Sequence, residues 1–382
     1  MLMRWTLLAG LLGVFLVGCQ ETLPEKSTLT NAQIASLIPN RVKEREAWAE
    51  DIAKVFDTLK IEKTTVNICT SVAIIDQESN FSADPVVPNL GVTSLAALEE
   101  KLEEKLGKNM AGVFKKMLAT KPTPENNFIK QIKAVKTERE LDELYRKMFA
   151  HFGESYKVGV VNDAAKFLGK GIDEKLNPIT TLGSMQVHID YAKDHRRANM
   201  TDDDLRDDLY SRYGGLYYGI HRLMLYQADY DKPLYRFADY NSGMYSSRNA
   251  AFQRQVATLS GKKLSLDGDL LIYKDGSPRA EKGQTETALI AVADKLGLTA
   301  AQIRQDLKKE KSAKFESTAT YQAVKKAYAA MGKEPSYAIM PEVVISGVKL
   351  SRDYNTNWFA TNVDKRYQAC ISTAKKQGLP IE

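Results

Sequence analysis

The stretch Ala73-Ile74-Ile75-Asp76-Gln77-Glu78-Ser79-Asn80-Phe81 carries an apolar run into an acid, a serine and an aromatic, and Asp84-Pro85 then breaks it. Upstream, Ile68, Val72 and Ile75 recur at helical spacing, which predicts a helix from Thr64 to Ser79. An acid at the end of such a helix has apolar walls behind it. Partial burial disfavours the carboxylate and raises its pKa, the condition a general acid needs at neutral pH. Glu78 is therefore a candidate catalytic group. The plainer reading is an ordinary solvated acid closing a helix.

On the N-terminal side, Arg4 precedes an apolar or small-residue run from Trp5 to Val17. Its length of about 13 residues suits a signal-peptide core and falls short of the roughly 20 that span a bilayer. The run ends in Leu16-Val17-Gly18-Cys19, which resembles a lipobox, so Cys19 is expected to be lipidated. Acyl chains contribute about 0.8 kcal/mol per buried methylene, and two already give stable anchoring. Gln20 stands where an aspartate would argue for retention at the inner membrane. The pattern implies a lipid anchor in the outer membrane, facing the periplasm.

The 382-residue chain carries a net charge of +6, which points only weakly to an anionic partner. No nucleic-acid motif is present. Two further cysteines, Cys69 and Cys370, follow the lipobox. In an exported chain they are expected to pair, closing a loop of about 300 residues, or else to remain as two buried thiols.

Trp48, Ile52, Val55, Phe56 and Leu59 predict a helix from Arg41 to Leu59. Leu95, Leu98, Leu102 and Leu106, then Leu141, Leu144, Tyr145 and Met148, mark amphipathic stretches within Leu90 to Pro178. Thr201 before Asp202-Asp203-Asp204 reads as a capped helix start more readily than as a calcium loop. Tyr235 to Leu259 is expected to hold a turn and then a helix. Leu264 to Pro278 reads as turns with a small hairpin, and Thr299-Ala-Ala-Gln302 as a capping box. Helices over Thr318 to Met331 and Asn357 to Lys375, with a short strand within Val343 to Leu350, complete a mainly α chain.

Several chemistries lack their signatures. There is no Walker loop, no dinucleotide-binding glycine fingerprint and no Gly-x-Ser-x-Gly elbow. His151, His188, His195 and His221 form no His-Glu-x-x-His pair, and no Cys-x-x-Cys occurs, so neither a metal nor a cofactor is expected.

Two more segments join the first. They are Gly183-Ser184-Met185-Gln186-Val187 and Phe237-Ala238-Asp239-Tyr240-Asn241-Ser242-Gly243. Each is weak alone, and Tyr-Asn-x-Gly is commonly a turn. In order, helix-Glu-Ser, Gly-x-Met-Gln and Ala-x-Tyr-Asn-x-Gly resemble the soluble lytic transglycosylase and goose-type lysozyme domain. The sequence departs from that pattern at Ser184, where leucine is usual, and at Asp239, where a small residue is usual. Glu78 and Gly183 also lie much farther apart. Nearly the whole mature chain is more closely similar to an uncharacterised family of bacterial lipoproteins. That match rests on Glu78-Ser79-Asn80-Phe81-Ser82-Ala83-Asp84-Pro85, Arg212-Tyr213-Gly214-Gly215-Leu216-Tyr217, Tyr235-Arg236-Phe237-Ala238-Asp239-Tyr240-Asn241, Arg248-Asn249-Ala250-Ala251-Phe252-Gln253 and Trp358-Phe359-Ala360.

The resemblance implies a lysozyme-like, transglycosylase-type helical domain. Its parts would be a signal peptide (1–18), a tether (19–30), the domain in two pieces (31–89 and 179–262), an inserted helical subdomain (90–178) and a helical C-terminal extension (263–382). The implied substrate is the glycan strand of peptidoglycan. Glu78 would be the single acid/base, with Ser79, Met185, Gln186, Tyr240 and Asn241 binding substrate and Asp239 a candidate second carboxylate. The product would carry a 1,6-anhydro end; a hydrolase is the near variant. The rival expectation is a cell-wall-binding or scaffolding lipoprotein without turnover. Among the aromatics, Tyr210, Tyr213, Tyr217, Tyr218, Tyr226, Tyr230, Tyr235 and Phe237 are sugar platforms or, more simply, core. Arg248 is a candidate for a peptide-stem carboxylate. His188 and His221 read as structural, and no pattern names a protein partner.

Overall fold

Helix α3 (Thr65–Ser79) starts where the side chain of Thr64 accepts a hydrogen bond from the Asn67 N–H, satisfying one of the free donors of the first turn. Its buried positions run round most of its circumference, from Ile68, Cys69 and Val72 to Ile74, Ile75 and Asp76. A helix apolar on nearly all sides belongs in the middle of a core. Burying each of its isoleucines and valines contributes about 1.5–3 kcal/mol. The computed structural model describes residues 28–157, 177–274, 276–345 and 354–381. Cys19, the leader and most of the tether lie outside the described residues.

The last helix, α16 (Thr356–Lys376), packs against α3 and against α10 (Pro233–Ser242), and α1 (Asn31–Leu37) against α3 and α2 (Arg45–Leu59), all within one core. Cys69 of α3 and Cys370 of α16 form a disulfide with Cα atoms 5.5 Å apart, across a sequence separation of 301. Helix α2 begins at Arg45 rather than Arg41, because Glu44 adopts a left-handed φ of 54° through which a right-handed helix cannot run.

The segment after α3 leads into α4 (Leu90–Leu118), α5 (Phe128–Ala134) and α6 (Glu138–Lys157). Helix α4 is broken at Gly107, where φ is 72° and ψ 159°. Leu98, Leu102, Phe114, Phe128, Ile132, Leu141, Tyr145 and Phe152 unite these helices, and their core is continuous with that of α3. A buried ion pair joins them to α8 (Asp202–Leu209): Arg206 meets Asp142, which also accepts from Asn177 Nδ2 at 2.7 Å. Helix α8 has a full capping box between Thr201 and Asp204, so its acids serve the helix start. At Thr299 the capping is partial: its side chain accepts from the Gln302 N–H at 3.2 Å.

Helices dominate, and strands are confined to three two-stranded antiparallel hairpins among the described residues. These are β1–β2 (Thr181–Leu182 with Val187–His188), β3–β4 (Tyr273–Lys274 with Ser277–Pro278) and β5–β6 (Val344–Ile345 with Tyr354–Asn355). The expected strand within Val343 to Leu350 is described only as far as Ile345.

Residues 263–382 do not pack as one unit. A second core gathers Phe252 and Val256 of α11 (Ser246–Ser260) with Leu270, Leu289, Ile303, Leu307, Phe315 and Val324. Helix α16, at the far end of the expected extension, instead lies in the first core. Arg248 is fully buried against the second core, donating to the Ser312 carbonyl at 3.0 Å and to Glu316 at 3.1 Å. It therefore does not face a peptide-stem carboxylate. No described helix is long and apolar enough to cross a membrane.

Candidate active site

Glu78 occupies the last turn of α3, half-buried, and is followed by buried Ser79 and exposed Asn80. Two successive left-handed residues end the helix, Asn80 at φ 51° and Phe81 at φ 60°. The left-handed conformation costs a non-glycine residue roughly 1–2 kcal/mol. Phe81 offsets that by burial, with its ring edge-on to Trp48 at 5.3 Å. The reversal leaves Glu78 at the end of an apolar rod. Ser79 does not offer its hydroxyl outward: the Oγ donates to the Ile75 carbonyl at 3.2 Å and accepts from the Ser82 N–H at 3.3 Å.

The Gly183–Gln186 segment is the turn of the β1–β2 hairpin. Gly183 has φ +75°, and a Cβ there would lie 2.2 Å from the Leu209 carbonyl oxygen, so both conformation and space demand glycine. Met185 is fully buried, with its side chain where any Cβ on Gly219 would collide with Sδ at 2.3 Å. It is core, and the expected groove-lining role for its side chain is not what the packing gives it. Gln186, at φ 49°, is held by three polar groups. Its Nε2 donates to Glu138 Oε2 at 3.0 Å and to the Gly183 carbonyl at 3.3 Å, and its Oε1 accepts from Thr181 at 3.0 Å.

The third segment is helix rather than turn. Pro233 starts α10, where a missing N–H is harmless, and the helix runs to Ser242 before Gly243 ends it at φ 112°. Tyr240 is buried, and its hydroxyl donates to the Met185 carbonyl at 2.6 Å. Arg222 of α9 (Arg212–Met224) lies over its ring at 4.5 Å. Burial chiefly pushes the Tyr240 pKa up; Arg222 opposes this and the nearby negative charge of Glu78 adds to it. Tyr240 thus joins the second and third segments by a direct hydrogen bond and lies near enough to Glu78 of the first to feel its charge. Asn241 turns elsewhere, accepting from Thr356 Oγ1 at the start of α16 at 3.3 Å.

Asp239 has a different task from the one expected. It is fully buried and accepts from Tyr226 Oη at 3.1 Å, Tyr230 Oη at 2.5 Å, Ser246 Oγ at 2.9 Å, and the N–H groups of Tyr245 and Ser247 at 2.9 and 2.7 Å. It organises the start of α11, which has no capping side chain at its own N-cap, Tyr245. Burial pushes its pKa up, and the donors oppose that. With every approach taken by a donor, it is not a second carboxylate facing substrate.

Other residues complete the surroundings. Tyr191 of α7 (Ile189–Asp194) shares a 2.7 Å hydrogen bond with His221 Nδ1 and stacks on His195 at 4.2 Å. Burial, then His195, lowers the His221 pKa. Tyr213, Tyr217 and His221 follow one another along a face of α9, with centroids 6.5 and 6.2 Å apart, and all three are half-exposed. Tyr210 and Tyr218 are buried, as is Phe237, whereas Tyr226, Tyr230 and Tyr235 are partly buried. Tyr226 and Tyr230 serve Asp239. Sequence reasoning missed Arg222, Tyr191 and Glu138. The i, i+4 spacing of Tyr213, Tyr217 and His221 was the one available signal; contact between α6 and the β1–β2 turn had none. Among the described residues no group of three or more His, Cys, Asp or Glu side chains could hold a metal ion.

No solved structure matches the chain. A protein from Escherichia coli (strain K12), "Uncharacterized protein YaiW", is 34% identical over 365 residues, which covers 93% of this chain and 95% of the relative. The family described as "Protein of unknown function (DUF1615)" matches residues 41–373. With a match of that extent, running from just before α2 into the last turn of α16, the chain belongs to the DUF1615 family.

Proposed function

We propose that this chain is a lipid-anchored envelope enzyme that cleaves the MurNAc–GlcNAc bond of peptidoglycan glycan strands, with a lysozyme-like arrangement around Glu78. Cys19 would carry the lipid, holding the domain at the outer membrane on its periplasmic side. One observation carries the reading. Tyr240 hydrogen-bonds the Met185 carbonyl and feels the charge of Glu78, so one phenol links two of the motif segments directly and lies near the acid of the third.

Glycoside cleavage needs a proton on the leaving oxygen as positive charge builds on the sugar. Glu78, half-buried at the end of an apolar helix, would give that proton. The carboxylate left behind would take the proton of the muramoyl 6-hydroxyl, whose oxygen closes onto the anomeric carbon and leaves a 1,6-anhydro end. Attack by water instead would leave a reducing end, the outcome of a hydrolase. The substrate's acetamido group supplies the stabilisation that a second carboxylate gives in two-acid enzymes. Tyr240 would keep its proton and position the turn that carries Gln186. Glu138 would fix the Gln186 amide toward the sugar.

The second reading, a wall-binding protein without turnover, has its own observation. Ser79, Met185 and Asn241 are engaged within the protein rather than held open for substrate. Incubating the full chain with sacculi separates the two. Released fragments one water lighter than hydrolysis products support the transglycosylase, and reducing ends the hydrolase. Co-sedimentation without release supports the binding protein. Cleavage that persists in Glu78→Gln would remove Glu78 from the mechanism.

A further inference from the structure

On the side of α3 away from Glu78 lies a half-open cavity of about 370 Å³, bounded by the α1–α2 connection, α3 and α16. This is within the roughly 300–1,000 Å³ typical of small-molecule sites. Its floor is apolar: Leu37, Ile38, Val72 and the disulfide-bonded Cys370 are all buried. Its rim is cationic. Arg41, Lys365 and Arg366 line it, and Asp76 is the one carboxylate among the lining residues.

Asp76, 5% exposed, is shared by the two guanidinium groups. Arg41 contacts one carboxylate oxygen, and Arg366 Nε lies 3.1 Å from the other. Burying a carboxylate this far is tolerable only when it is paired. The pairing uses part of what the arginines offer, because each guanidinium carries five N–H donors. Arg41 keeps 56% of its side chain exposed at the rim, and Lys365 is exposed beside it. One carboxylate against three cations leaves positive charge over an apolar floor. A ligand that matches both surfaces has an anionic head and an apolar body.

We propose that this cavity is an accessory binding site for a small organic anion, with its carboxylate or phosphate head at Arg41, Lys365 and Arg366 and its apolar body against Val72 and Ile38. The site lies on a different face of α3 from Glu78 and does not depend on the proposed catalysis. Arg41 also contacts Asn80 Oδ1 at 3.4 Å, at the residue that ends the Glu78 turn. A bound anion would therefore draw on an arginine that touches that turn.

The test is calorimetric titration of the full chain with 4-phenylbutyrate as probe. 4-Phenylbutanol serves as the neutral body and acetate as the bare head. Saturable binding of 4-phenylbutyrate, at least tenfold tighter than either control, is expected. Lys365→Glu should weaken it at least fivefold, and Ala369→Trp, an exposed position on the cavity wall, should abolish it, both with unchanged melting temperature. No saturable binding, equal affinity for 4-phenylbutanol, or undiminished binding by the two folded variants would each overturn the proposal.

Discussion

Glu78 and Asp239 are both acids in motif segments, and their surroundings divide them. Glu78 ends α3, half-buried, with the Tyr240 phenol within reach of its charge. Asp239 lies within α10, fully buried, with five donors converging on its two oxygens. A carboxylate surrounded by donors is a structural anchor, because protonating or moving it would strand buried N–H and O–H groups. Glu78, by contrast, is half-buried in the last turn of a helix, where a carboxyl group keeps access to solvent. The comparison teaches that complete burial among converging donors marks Asp239 as architecture, whatever its place in a motif.

The sharpest way to break that contrast is to remove each charge. Glu78→Gln should lower fragment release from sacculi by about 10²–10⁴-fold, the span of general acid–base catalysis, with melting unchanged. Asp239→Ala should do the reverse. It leaves five donors without their acceptor and should cost about 4 kcal/mol in urea unfolding. If the Asp239 variant keeps its stability but loses activity, the division drawn between the two acids is wrong.

A third acid sharpens the comparison through pH. Glu310 is buried in the second core, where it accepts from the Leu270 N–H, and burial pushes its pKa up to about 7 from 4.5. The folded state therefore holds this proton more tightly than the unfolded state. Its contribution is complete below pH 4.5 and is lost as pH rises through about 7, a fall of up to about 3 kcal/mol. Unfolding measured between pH 4 and pH 8 should show that decline, and Glu310→Gln should flatten it. The smallest effect is expected for Tyr240→Phe. It removes one hydrogen bond to the Met185 carbonyl, worth about 1 kcal/mol in denaturant unfolding. A loss of activity larger than the loss of stability would tie this phenol to Glu78.

Much of the fold was legible because local rules govern it. The Thr64 and Thr318 caps, the Thr201–Asp204 box and the apolar spacing of α2, α3, α15 (Ala319–Ala330) and α16 place those helices within a few residues. The α10 segment was misread because Tyr-Asn-x-Gly suits a turn locally. Burial of Phe237, Ala238 and Tyr240 in the first core holds it helical up to Gly243. The second core was also hidden, since nothing in the order of residues says that α10 packs into one apolar cluster and α11, directly after it, into another.

For the site, the sequence by itself determined that Glu78 would end an apolar helix, because the period of its hydrophobic residues and the Asp84-Pro85 break are local properties. It also set the glycine that the hairpin turn requires. Only the tertiary structure decided which neighbours those residues meet. Tyr240 reaches the Met185 carbonyl, Glu138 takes the Gln186 amide, and Asp239 is enclosed by tyrosines and serines. The first two contacts join positions about 50 residues apart, and helix packing fixes such distances through the whole core rather than through any one stretch of residues; the Asp239 cluster is nearer in sequence but depends on how α10 and α11 are turned against each other.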